Sequence, residues 1–357
     1  MTETPLARKL RRLIVENGPM SVAEYMAHCL SDPVHGYYAT RDPFGAAGDF
    51  ITAPEVSQMF GEIVGAWLIE AWRLAGSPDP VALVELGPGR GTLMADVLRV
   101  AARVPELQRA LSVHLVETSA ALRKRQSQAL AASGADVQWP GSFSETPSGP
   151  FLLIANEFFD ALPIRQFVRV EGSWRERVVG LGDGGRFAFG VGAGLLEGPE
   201  APEGAVLELR PAAAVLVGEI ARRIVEQGGA SLIIDYGHAE TAIGDTLQAV
   251  AKHAFADPLS APGEADLTAH VDFAALARAA EAEGAAVHGP MPQAEFLMEL
   301  GVAARANRLA DSADAATREA LCLARHRLTA PNEMGTLFKV MAITRNDIAP
   351  PPFASRI

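Results

Sequence analysis

Val81-Ala82-Leu83-Val84-Glu85-Leu86-Gly87-Pro88-Gly89-Arg90-Gly91 carries the first architectural signal in the 357-residue chain. Its opening six residues are apolar except for Glu85, a carboxylate at the strand end. A short continuous apolar run bounded by glycine reads as a strand buried on both faces. Glycines then alternate through the turn, and Thr92 to Ala102 (TLMADVLRVAA) reads as a helix. Outward from this unit come a strand at Leu111 to Val116, a helix from Ser119 to Ala131, a short strand near Val137 and the apolar strand Phe151 to Asn156. Strands alternating with helices predict an α/β fold with a parallel, doubly wound, Rossmann-like sheet.

The flanks depart from this rhythm. Leu6, Leu10, Leu13 and Ile14 recur at helical spacing. Ser21 with Glu24 forms a capping box for a second helix. Ser31 to Ala53 is rich in Pro, Gly, Asp and aromatics and reads as a long ordered loop. Pro54 and Glu55 suit the first turn of a third helix running to about Ala75. Residues 1–78 are therefore expected to form an N-terminal helical cap on a core spanning 79–357. Within that core, alternation and turns between about 164 and 210 predict an antiparallel β insertion. A helix from Ala212 to Gln227 and a strand from Ser231 to Asp235 resume the sheet. Helices are expected over Asp272 to Glu283 and within an insertion at about 290–330, with Thr336 to Ile343 as a closing strand.

The 31 Lys and Arg against 43 Asp and Glu give a net charge of −12. That balance disfavours a phosphate backbone as partner, and no basic stripe offsets it. Cys29 and Cys322 are far apart and lack CxxC spacing, so neither a disulfide framework nor a structural metal site is expected. No apolar run approaches 18 residues, so no membrane insertion is expected. Nothing at the N-terminus reads as a signal or transit peptide, which makes the cytoplasm the expected location.

The glycine loop also selects among cofactors. Glycine permits sharp turns and close approach to main-chain atoms, and the following helix start presents free N–H groups. Dinucleotide enzymes use G-x-G-x-x-G to seat a pyrophosphate. In Gly87-x-Gly89-x-Gly91 the third glycine arrives one residue earlier, which suits S-adenosylmethionine, a ligand without phosphate. Glu85 at the strand end can hold the ligand's ammonium. Glu117, ending the second strand, can accept both ribose hydroxyls, or it can cap the next helix. The Gly141-Ser142-Phe143 loop is where adenine is expected.

Asn156-Glu157-Phe158-Phe159-Asp160 follows the strand at Phe151 to Asn156 and borders the expected cleft. Such a density of polar groups beside a buried strand is costly unless used, although Asn and Asp are also common in turns. The carboxylates of Glu157 and Asp160 suit a guanidinium, whose planar fork of donors calls for bidentate acceptors. Methyl transfer depends chiefly on orientation. His238 is a candidate to take the departing proton, with a structural role as the other reading.

The chain resembles the MidA-like family, that of the mitochondrial complex I assembly-factor methyltransferase. The matching segments are Tyr25 to Tyr38, Gly48 to Glu62 (GDFITAPEVSQMFGE), Val84 to Gly91 and Asn156 to Pro163 (NEFFDALP), continuing through Ile233 to His238, Asp266 to Phe273, Gln293 to Leu297 and Met334 to Met341. The resemblance implies a class I protein arginine methyltransferase that uses S-adenosylmethionine and acts on a respiratory complex I subunit or its homologue. It also implies that the GDFITAPE segment covers the cofactor, with Asp49, Thr52, Ser57 and Gln58 near it. The paired-glutamate loop of the commoner arginine methyltransferases is absent, so Glu157 and Asp160 must stand in. A small-molecule methyltransferase and a non-catalytic assembly chaperone remain as alternatives, and a nicotinamide dehydrogenase is disfavoured by the glycine spacing.

Overall fold

The computed structural model describes residues 3–40, 52–251 and 254–353. The chain forms two compact units, each assembled from three separate stretches. The sheet unit comprises Ile51–Phe159, Leu216–Ala239 and Phe273–Ile357; the other comprises Met1–Phe50, Asp160–Val215 and Glu240–Asp272.

The strands of the sheet unit are β1 (Val81–Leu86), β2 (Leu111–Val116), β3 (Val137–Gln138), β4 (Phe151–Asn156), β5 (Gly229–His238), β6 (Ala286–Pro292) and β7 (Phe338–Thr344). They pair in the order β3-β2-β1-β4-β5-β7-β6. Pairing is parallel from β3 through β5, and β7 runs antiparallel to both β5 and β6. All six residues of β1 and all six of β4 are buried, as expected of central parallel strands covered on both faces. From β1 the chain adds strands outward to β3, then returns to lay β4 on the other side of β1. The carboxyl ends of β1 and β4 therefore flank a topological switch point, where ligands of open α/β sheets bind.

Four helices position the strand ends: α1 (Ala53–Val56), α2 (Gln58–Leu74), α3 (Thr92–Ala101) and α4 (Ala120–Leu130). The third helix expected from the sequence is thus broken. Ser57 adopts an extended backbone because its side chain caps α2, accepting from the Met59 N–H. Helix α2 is buried along most of its length. Glu62 on it is gripped by Arg305 at 2.6 and 2.8 Å and by Arg99 of α3 at 2.5 Å. Further along, three helices occupy Gln293–Glu299, Val302–Ala310 and Ala315–Thr329.

The other unit contains the expected antiparallel insertion, with strands Arg165–Val170, Ser173–Leu181, Phe187–Leu196 and Val206–Leu209. A two-residue strand, Met20–Ser21, extends it by pairing with Val178 and Val179. Ser21 and Glu24 make the expected capping box. A small three-stranded sheet occupies Gln248–Ala251, Ala254–Ala256 and Asp266–Thr268. Leu6, Leu10, Tyr25, Met26 and Leu267 lie in the core of this unit. Helices of the first 78 residues are shared out: Pro5–Asn17 and Val22–Ser31 belong to this unit, α1 and α2 to the sheet unit.

Both cysteines are free thiols. Burial pushes the Cys29 thiol up to about 12. No helix among the described residues is long and apolar enough to cross a membrane. No group of three or more His, Cys, Asp or Glu among them has the arrangement of a metal site.

Candidate functional site

The turn after β1 is built on Gly87, Gly89 and Gly91 with φ of 61°, 53° and 85°. This is the left-handed region that only glycine enters without strain. Close approach is needed as well, and here the protein itself fills part of the space. A Cβ on Gly87 would lie 2.9 Å from the Phe158 ring, and one on Gly91 would lie 3.3 Å from the Gln126 Cα. Gly91 caps α3 without a side chain, so the first N–H groups of that helix have no partner within it. Glu55 of α1 reaches this turn, accepting from the Thr92 hydroxyl and standing 3.8 Å from Arg90 Nη1.

Glu85 lies at the same strand end and is 3% exposed. Its Oε2 is buried with no hydrogen-bond partner among the described residues. Burial alone pushes its carboxyl up to about 8. Asn156, the last residue of the neighbouring β4, has a buried Oδ1 that is likewise unpartnered. Orphaned buried acceptors are costly unless a donor reaches them. An ammonium group, with donors and a positive charge, meets the need of the Glu85 carboxylate.

At the end of β2, Glu117 accepts from the Ser119 N–H at 2.7 Å and from Gln126 Nε2 at 3.2 Å. It does make the helix-entry contact foreseen as its structural role. Each carboxylate oxygen nonetheless has two lone pairs, so capacity for further donors remains. Burial raises the Glu117 pKa against those hydrogen bonds. Gln126, which the sequence pattern does not single out, joins Glu117 to the glycine turn: its Nε2 also donates to Gly89 O at 2.8 Å.

The loop after β3 differs from expectation. Phe143 faces inward, 3% exposed, with its edge on Phe151 and the Arg223 guanidinium 4.5 Å from its centroid. Ser142 bonds to Ser144 and Glu145. An apolar ring at this position is drawn into the core, and its face is already taken. The partly exposed aromatic at the end of β3 is Trp139, whose indole donates to Gln126 Oε1 at 2.9 Å.

Glu157 has a φ of 50°, an unusual conformation for a residue with a Cβ. Its N–H donates to Ile234 O at 2.9 Å. Its Oε1 accepts from Asn156 Nδ2 at 3.2 Å and from the Ala53 N–H at 3.0 Å. The second bond satisfies the start of α1, where Thr52 supplies no side-chain cap. Thus Asn156, Glu157 and the start of α1 come together. Asp160 falls in the other unit, 6% exposed, accepting from the Ala161 N–H at 2.8 Å. His238 is the half-buried last residue of β5. Asp49 lies outside the described residues.

The model of an S-adenosyl-L-methionine-dependent methyltransferase family matches residues 63–291. The mitochondrial protein arginine methyltransferase NDUFAF7 of Danio rerio is 38% identical, over 95% of this chain and 86% of the relative. Its Homo sapiens counterpart is 37% identical over 95% and 83%. A Burkholderia thailandensis crystal structure bound to S-adenosyl-homocysteine superposes with a TM-score of 0.87 at 28% identity, covering 100% of this chain and 98% of that one. The names of these relatives overturn the cytoplasmic expectation, since the Danio rerio, Drosophila melanogaster and Homo sapiens proteins are all called mitochondrial. The folded core does not encode its compartment, so the reading of the first residues did not bear on location. With a doubly wound sheet, a glycine turn at its switch point and these relatives, the chain belongs to the S-adenosyl-L-methionine-dependent methyltransferase family.

Proposed function

We propose that this methyltransferase modifies an arginine side chain of a protein, and that the protein is a respiratory complex I subunit or its homologue. The observation that carries the cofactor end is the buried, unpartnered Glu85 carboxylate beside the glycine turn. In this reading Glu85 holds the amino-acid ammonium, Gly87, Gly89 and Gly91 let the ligand lie on the main chain, and Glu117 holds the ribose diol. Bound S-adenosylmethionine supplies an electrophilic methyl group on a sulfonium.

The acceptor end rests on Glu157. Left-handed backbone in a non-glycine residue costs about 1–3 kcal/mol and persists where the surroundings enforce it, often at functional sites. Asn156 and the start of α1 both hold the Oε1 of Glu157, whose negative charge attracts a guanidinium. Thr52 would border the site through that tie, and Asp49 precedes it in sequence. His238, in the same unit as Glu157, is the proton acceptor in this reading. The name of the NDUFAF7 relatives supports arginine as the acceptor, and the family resemblance supports complex I as the partner.

The test is methyl transfer from labelled S-adenosylmethionine to complex I subunits, with mass spectrometry of the modified residue. Methylarginine is expected. Glu157→Gln retains an oxygen for the Ala53 N–H and removes the charge. Loss of a charge-assisted contact to a guanidinium should cost about 2–4 kcal/mol at the transition state, or roughly 30- to 1000-fold in kcat/KM. S-adenosylhomocysteine affinity should be unchanged. Parental turnover in this variant would remove the physical basis of the arginine reading and leave the cofactor reading standing.

A further inference from the structure

Gln126 sits on α4 (AALRKRQSQAL), a helix whose only large apolar residues are Leu122 and Leu130, yet it is completely buried. Its side chain makes three hydrogen bonds. Nε2 donates to Gly89 O at 2.8 Å and to Glu117 Oε2 at 3.2 Å, and Oε1 accepts from Trp139 Nε1 at 2.9 Å. The amide orientation has only one consistent assignment. An indole N–H can only donate, so the Gln126 oxygen must face Trp139 and its NH2 must face the carbonyl and the carboxylate.

The three partners come from the ends of three successive strands: the turn after β1, the residue after β2, and the residue after β3. In this sheet those ends lie side by side, so one amide fastens the whole row. Glu117 is held at both oxygens, by Gln126 on Oε2 and by the Ser119 N–H on Oε1. Two contacts fix the carboxylate plane and direct its unused lone pairs.

We propose that Gln126 is a positioning residue that sets the ribose specificity of the site, by aiming the Glu117 carboxylate and pinning the Gly89 turn relative to it. The inference rests on the reading that Glu117 holds the ribose diol. Gln126 itself need not touch the ligand. Without it, Glu117 swings about its χ angles, and the diol meets an acceptor in many orientations rather than one. Contacts to the amino-acid end through Glu85 do not pass through Gln126 and stay intact.

The experiment is calorimetric titration of the full chain with S-adenosylhomocysteine and with its 2′-deoxy analogue. The quantity read is the ratio of their affinities. The parent should favour the ribose form by about tenfold or more, the scale of lost hydrogen bonds to a charged acceptor. Glu117→Ala should collapse the ratio towards one. Gln126→Met keeps the volume and removes all three bonds; it should collapse the ratio as well, with a native circular dichroism spectrum. Combining it with Glu117→Ala should lower the ratio no further, since the two residues act as one. Where Gln126→Met does not fold, Gln126→Ser serves instead, leaving room for water against the Trp139 indole and removing the amide donors to Glu117 and Gly89.

A purely structural role would weaken both ligands equally and leave the ratio at its parental value, which overturns the inference. Failure of both variants to fold would also overturn it, assigning Gln126 to the fold alone. A parent that binds both ligands equally overturns the Glu117 reading, and the inference with it. Discrimination that is lost in Glu117→Ala and intact in Gln126→Met overturns the inference only.

Discussion

At the scale of the residue, the proposed contact of Glu85 with the ligand's ammonium would make cofactor binding depend on pH. The Glu85 carboxyl titrates at about 8 in the folded chain, against an ordinary value of 4.5, because burial penalises the charged form. Below pH 4.5 it is protonated both folded and unfolded. Between 4.5 and 8 the folded chain keeps a proton that the unfolded chain has released, so ligand-free stability falls as pH rises through that window. A bound ammonium reverses the preference and favours the carboxylate. Binding should therefore release a proton, and S-adenosylhomocysteine affinity should climb by about tenfold per pH unit from about pH 6 and level off near about 8. Calorimetry at about pH 7 in two buffers of different ionisation enthalpy should count nearly one proton released, and none for Glu85→Gln. An equal proton count in parent and variant would detach Glu85 from the ligand. Glu85 was legible in the sequence because a carboxylate at the end of an apolar strand is conspicuous. Gln126 was not legible: among the Arg, Lys, Ser and Gln of α4 it looks like one more solvated side chain, and only the close approach of three strand ends makes it interior.

Elements show a different division. β1 and β4 could be bounded to the residue because central parallel strands demand unbroken apolar runs. β6 could not, since Gly289, Pro290 and Pro292 argue against a strand. It pairs nonetheless with β7 through a register shift between His288 and Met291 that absorbs the irregular residues. Met20–Ser21 is too short to carry any period and exists only through its partner. The break between α1 and α2 was hidden because Ser57 reads equally well within a helix or as a cap. Phe60-Gly61-Glu62 stood out only as part of a matching segment, and the packing of α2 on α3 supplies its physical reason. A Cβ on Gly61 would lie 2.5 Å from Asp96 Cβ, and one on Gly65 would lie 3.2 Å from Val97 Cα. Asp96 cannot easily retreat, because Arg99 binds it from the same helix. Gly61→Ala should thus overpack the α2–α3 contact. The cost of about 1–3 kcal/mol is offset by roughly 1 kcal/mol of helix propensity. A net loss of about 0–2 kcal/mol corresponds to a fall of up to roughly 8 °C in melting temperature for a unit of this size. Gly65→Ala, with more room, should fall less. Thermal denaturation followed by circular dichroism would rank them, and an equal or reversed order would refute the packing account.

For the whole molecule, the sequence suggested a cap over 1–78 followed by a core, a division along the chain. The contacts instead group stretches far apart in sequence: Met1–Phe50 joins Asp160–Val215 and Glu240–Asp272. Local patterning reports which residues are apolar and at what period, but not which distant strand will accept them, as Val178 and Val179 accept Met20 and Ser21. The residues proposed to hold the cofactor, by contrast, fall within one unit. Glu85, the glycine turn, Glu117, Gln126 and Asn156 all belong to the sheet unit, and that gives the last prediction. A ligand that binds only the native state stabilises whatever unfolds together with its site. At a free concentration of about 100 times Kd the gain is about 2.7 kcal/mol, so amides that exchange through opening of that unit should slow by about 100-fold. Hydrogen exchange followed by mass spectrometry, with and without S-adenosylhomocysteine, should show this slowing in the core strands β1, β2, β4 and β5. The ends at Leu86–Thr92 and Val116–Ser119 should be protected even against local opening. Peptides from the Pro5–Asn17 helix and the Arg165–Val170 strand report on the other unit. If protection appeared in those peptides and not in the sheet strands, the cofactor would be bound by the other unit, and the roles proposed for Glu85, Glu117 and the glycine turn would all fall together.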